Sequence, residues 1–155
     1  MTGKAEFNAE EWSVVVGAPL LSAIMVVAAD RGGSVRESVA GARAYGEARE
    51  QHAGEFMSAL LATPPAAATK QPVKREELHA EAIAGLREAI AILERVGTED
   101  EVVEFKRFVF SLAEGVAHAH REGGFLGIGG TEVSAQEQAA LDEIAAVFDE
   151  SPPAA

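Results

Sequence analysis

Residues Trp12 to Ala29 read WSVVVGAPLLSAIMVVAA, 18 residues without a charge. That is the lower limit of length for a membrane-crossing helix. Gly17, Pro19 and two serines interrupt the run, Glu10 and Glu11 stand at its start, and no basic cluster flanks it. These features count against insertion, and the mostly acidic MTGKAEFNAEE before it lacks the positive start of a secretory signal. A helix apolar on all sides belongs inside a bundle, so the run predicts a central buried helix of a soluble protein. Pro19 cannot donate to the Val15 carbonyl, which predicts a kink there. A membrane-associated protein using the 12–29 helix is the competing reading.

Around this helix the chain is punctuated by capping signals. Asn8 with Glu11, Ser34 with Glu37, Thr98 with Glu101 and Ser134 with Glu137 each have the spacing at which a cap side chain and a carboxylate satisfy each other's amides. Apolar positions recur at helical spacing in Leu78, Ala82, Leu86, Ala89, Ile90, Leu93 and Val96. They do so again in Val102, Phe105, Phe108, Val109, Leu112 and Val116, then in Leu141, Ile144, Ala145 and Phe148. Val35, Val39, Ala42 and Gly46 form a stripe of small residues, which predicts a helix packed close to a neighbour. Phe56, Met57, Leu60 and Leu61 add a short apolar turn or two. No stretch alternates as a strand would.

The expected fold is all-α, a single-domain bundle of five or six helices over residues 1–150. Its Pro- and Ala-rich internal linker spans 62–75 and a disordered tail spans 151–155. Laying Asn8 on Thr98 without a gap aligns Glu11 with Glu101, Ala23 with Ala113, Val26 with Val116, Ala29 with Ala119, Arg31 with Arg121 and Gly33 with Gly123. Two pseudo-repeated helical hairpins would produce this match, and so would the common grammar of helical bundles.

The 155 residues contain no cysteine, which excludes disulfides, thiolate nucleophiles and cysteine-based zinc sites and suits a cytoplasmic protein. The net charge of −12 comes from 25 acidic and 13 scattered basic residues, so no basic patch is available for nucleic acid or anionic membranes. The acidity suits solubility, a basic partner or cation binding.

Glu122 to Ser134, EGGFLGIGGTEVS, concentrates five glycines and the apolar Phe125, Leu126 and Ile128. No lysine follows its last glycine, and Glu132 stands where a dinucleotide fingerprint needs glycine. Phosphate binding fails on both counts. Two readings survive: Phe125, Leu126 and Ile128 fold back over the core as a plug, or they form a partner-contact loop.

The run GGFLGIGGTEVSAQEQAALDEIAAVF, with Phe105 and Lys106 before it, resembles the C-terminal part of a family of small bacterial all-helical proteins without assigned function. More remotely, VAAD at Val27 to Asp30 followed by Glu37, and Val133-Ser134-x-x-Glu137 followed by Leu141 and Ile144, is similar to the tellurite-resistance TerB-like fold. That resemblance implies duplicated helical bundles with acidic turns, linked to bacterial stress responses and in some members to metal binding. It makes Asp30, Glu37, Glu122, Glu132 and Glu137 the candidate ligands of a divalent cation. The turns depart from the family's Asp-Gly pattern, since Arg31 follows Asp30 and His120 stands in the second turn.

Other ionisable groups carry weaker signals. Glu114, His118 and Glu122 share a helix face with Arg107 and Ser111, which reads as a solvated polar stripe. Glu76 and His79 form one Glu-x-x-His, where a di-iron bundle needs two copies and two further glutamates. His52 beside Gly54 reads as a helix end. No residue set reads as catalytic, and no cofactor beyond a divalent cation is implied. The expected function is a non-enzymatic, cytoplasmic interaction or stress-associated protein. Its partner would be another protein or a second copy of the chain, met through the glycine-rich loop or a small-residue helix face. The alternative is a cation-binding helical module.

Overall fold

A computed structural model of the chain describes residues 2–29, 35–51, 54–63, 75–122 and 134–149. Among the described residues the six elements of length are all α-helices: α1 Ala9–Ala29, α2 Val35–Gln51, α3 Glu55–Ala62, α4 Arg75–Val96, α5 Glu99–Glu122 and α6 Ala135–Asp149. A single 3-10 turn, Lys4–Glu6, precedes them, and the described residues contain no strand. The chain is an all-α bundle.

Three of the four capping signals form as their spacing requires. The Asn8 amide donates to Glu11 at 3.0 Å while the Glu11 amide donates to Asn8 Oδ1 at 2.9 Å. Thr98 and Glu101 exchange the same pair at 2.8 and 3.3 Å, and Ser134 and Glu137 at 2.9 and 3.2 Å. Each box satisfies two amides that a helix N-terminus leaves without partners. Ser34 lies outside the described residues, although α2 begins immediately after it.

Helix α1 runs through Pro19 and is the hub, packing against α4, α5 and α6. Val15, Ala18, Met25 and Val26 on it are essentially sealed from solvent, as are Leu86, Ala89 and Leu93 of α4 and Phe105, Val109 and Ala113 of α5. Each such large apolar side chain contributes about 1.5–3 kcal/mol by leaving water. Ser22 is buried among them because its hydroxyl has carbonyl acceptors at Pro19, 2.7 Å away, and Val109, 3.2 Å away. A buried hydroxyl without an acceptor would cost about 1–3 kcal/mol.

The lower end of the bundle is closed by aromatic rings. Phe7 and Trp12 stand 5.3 Å apart, Trp12 meets Phe56 edge-on at 6.4 Å, and Phe56 reaches Phe105 at 6.3 Å. This places α3 against the core, with Phe56, Met57, Leu60 and Leu61 all buried. Arg49 at the end of α2 donates two bonds to the Leu61 carbonyl, tying α2 to the last turn of α3. The α4–α5 connection is only Gly97 and Thr98, and glycine is required there. A Cβ on residue 97 would lie 2.9 Å from the Leu93 carbonyl oxygen.

Helix α2 packs against α5, and of its small-residue stripe only Gly46 is among the described side chains. Nothing lies within 4 Å of the place a Gly46 Cβ would occupy. The described side-chain contact with α5 is Tyr45, whose ring stands edge-on to Phe108 at 5.3 Å, and Ala48 is buried nearby on the same helix. The side chains of Val35, Val39 and Ala42 lie outside the described ones. In α6 the buried face is Ala140, Leu141, Ile144 and Val147, with Ala145 and Phe148 half-buried at its margin.

The two aligned segments, α1–α2 and α5–α6, are arranged reciprocally. Helix α2 lies on α5, and α6 lies on α1, so each trailing helix packs against the lead helix of the other segment. That exchange is what a twofold arrangement of two hairpins would give. Such pairing also lets α1 be covered on several sides, which its composition demands.

Candidate functional site

The most apolar helix is not covered completely. By length and composition α1 could cross a membrane, with a mean hydropathy of 2.1 over its best 18 residues, yet half of that window is buried in the bundle. Leu21, Ala23, Val27 and Ala29 pack against the core, whereas Leu20, Ile24 and Ala28 form a half-buried stripe at helical spacing.

Near the end of α1 this stripe becomes the floor of an open groove of about 470 Å³. One wall is the first turn of α4, contributing Glu76, Leu78 and His79, and the other is α6, contributing Gln136, Ala139, Ala140 and Glu143. The floor is Ile24, Met25, Ala28 and Ala29. The volume falls in the range of ligand and side-chain recognition sites, and the lining has the usual division of apolar base and few polar groups.

The polar groups sit at the lip. His79 Nε2 lies 2.5 Å from Glu143 Oε2, so the two walls are joined across the groove by one side-chain contact, with both side chains nearly half exposed. Glu76 is exposed on the same edge of α4. A histidine on a carboxylate supplies two parts of a hydrolytic triad. Among the described residues no hydroxyl, amine or thiol lines this groove to complete it.

The sequence had marked other residues. Asp30, Glu132, Phe125, Leu126 and Ile128 lie outside the described residues, and so do the side chains of Glu37 and Glu122. Glu137 is described, and it is 4% exposed with its carboxylate accepting from the Ser134 amide. Its position is that of a cap at the start of α6. Among the described residues no three His, Asp or Glu side chains are grouped as a metal ion would require. Arg107, Ser111 and His118 are exposed along α5 as a solvated stripe should be, and Glu114 is half-buried beside them. His52 is not among the described residues.

Two buried polar atoms make no hydrogen bond among the described residues: Trp12 Nε1 and Tyr45 Oη. Burial pushes Tyr45 up to about 12, the nearby Arg49 opposing it. Elsewhere, burial raises Glu101, but hydrogen bonds from Thr2 and Thr98 outweigh it and hold the carboxyl below its ordinary value. Its Oε1 accepts from the Thr2 amide and its Oε2 from the Thr98 amide, both at 2.8 Å. One carboxylate thus fastens the N-terminal segment to the start of α5.

The groove was missed because its residues come from three helices distant in sequence. The one local sign was Glu76-x-x-His79, whose partner across space is Glu143 rather than a second copy of the motif. In comparison with known proteins, no family model matches the chain, and neither a curated protein nor a solved structure does so.

Proposed function

We propose that this chain is a non-enzymatic interaction protein, cytoplasmic and of the stress-associated helical kind its sequence resembles, and that a helical segment of a protein partner docks in the α1–α4–α6 groove. The observation that carries the reading is the half-buried stripe Leu20, Ile24 and Ala28, which continues into an open apolar groove on an otherwise well-packed helix. An amphipathic helix laid in a groove uses this chemistry, with apolar anchors spaced by about one turn and a polar face left in water. The acidic surface supports the same reading, since a net charge of −12 steers a partner of opposite sign.

Binding is tested with a designed amphipathic peptide carrying leucines on one face and neutral glutamines on the other. Methyl resonances of Ile24, Met25 and Leu78 should shift on titration, and Ala139→Trp, which fills the groove from an exposed position, should abolish the shifts. Methyl shifts confined to other parts of the bundle would refute the reading. A requirement for detergent to keep the purified chain in solution would instead favour membrane association through α1.

A further inference from the structure

We infer that the groove selects a basic helix, one whose lysines or arginines lie beside its apolar face, and this rests on the docking reading above. Both lips carry acid. Helix α6 has four acidic residues and no basic one along AQEQAALDEIAAVFD. Of these, Glu137 is committed to the Ser134 cap, while Asp142 and Glu143 are exposed. On the opposite lip Glu76 is exposed in the first turn of α4.

Among the described side chains lining the groove the one basic residue is His79, and it bridges to Glu143. Glu76, on the same edge of α4, lines the groove too. A helix seated on Ile24, Met25 and Ala28 therefore lies between two acidic walls. Lysine and arginine stems would extend along the apolar floor and place their charges at Glu76 and Glu143, as long basic side chains do at an apolar margin. An acidic polar face would meet like charge on both sides, which gives discrimination as well as attraction.

The test compares three peptides with the same leucine face and with lysine and arginine, glutamine, or glutamate on the other. Binding is measured by fluorescence anisotropy on the full chain at low and high salt. The basic peptide should bind most tightly and weaken as salt rises. Glu76→Gln with Glu143→Gln should weaken it about fivefold, the sum of two exposed charge pairs, and flatten its salt dependence. Equal affinity for the basic and neutral peptides would overturn the charge assignment and leave the groove standing. Failure of all three would remove both. Binding of dodecylamine in the groove with no peptide bound would overturn the helix in favour of a small cationic amphiphile.

Discussion

The α1–α4 contact gives the sharpest prediction, because one glycine sets the separation of the two helices. A Cβ placed on Gly85 would lie 2.5 Å from Leu21 Cδ1 and 3.9 Å from its Cγ. Carbon atoms pack at about 3.5–4.0 Å, so Gly85→Ala requires Leu21 to move by roughly 1 Å or more. In an exposed helix the same change would stabilise by about 1 kcal/mol through lower chain entropy and better helix propensity. Overpacking a tight contact costs about 1–3 kcal/mol. Leu21 is only half-buried and its terminal methyl can swing, which places the cost in the lower part of that range. The expected net effect is a loss of about 0–1 kcal/mol.

A double-mutant cycle in urea isolates the term that decides the argument. Gly85→Ala in a Leu21→Ala background should recover the propensity gain and stabilise, giving a coupling of about 1–2 kcal/mol between the two positions. Gly115→Ala serves as the control. Nothing lies within 4 Å of a Cβ at that site, so it should raise stability by about 0.5–1 kcal/mol in either background. If Gly85→Ala stabilises as much as Gly115→Ala, and equally with or without Leu21, the close approach of α1 and α4 is wrong.

Three further outcomes follow from individual side chains. Tyr45→Phe removes a buried hydroxyl that has no partner among the described residues and keeps the ring on Phe108, so the variant should be more stable by about 1 kcal/mol in chemical denaturation. The folded state holds the Tyr45 proton to about 12, above the ordinary value of about 10, so its share of stability is present below pH 10 and is lost as pH rises between the two. The phenylalanine variant should lose less stability over that alkaline interval. Glu101 has the opposite sign: its depressed carboxyl contributes above its ordinary value and loses that contribution as pH falls through the folded value. Melting curves from about pH 6 to pH 3 should fall less steeply for Glu101→Gln, which starts less stable. For the glycine-rich stretch, Phe125→Ser with Ile128→Ser should lower the melting temperature if those side chains plug the bundle. An unchanged melting temperature with lost peptide binding would assign them to partner contact.

Much of the architecture was readable in local pattern, and the reason is that helices are local objects. Asn8 and Glu11, or Thr98 and Glu101, meet each other whatever the rest of the chain does, because three residues of helix bring them together. Leu86, Leu93, Phe105 and Val109 stand out by period alone, since one face of each helix must leave water. Partner choice is not local. The stripe that ends at Gly46 points to a close-packed helix without naming its neighbour, and the ring of Tyr45 against Phe108 shows that the neighbour is α5. The same limit hid the site. Periodicity marks Ile24, Ala28, Leu78 and Ala139 as compatible with burial, but whether a face is covered depends on how α4 and α6 cross α1. Those crossings are set by contacts such as Gly85 against Leu21, in which a residue without a side chain matters for what it lets approach. A groove is where such approach stops, and its walls are joined at His79 and Glu143 by groups that sequence order keeps far apart. An apolar helix is therefore a sound sign of a core, and the part of it left uncovered is where a function of this fold has to be sought.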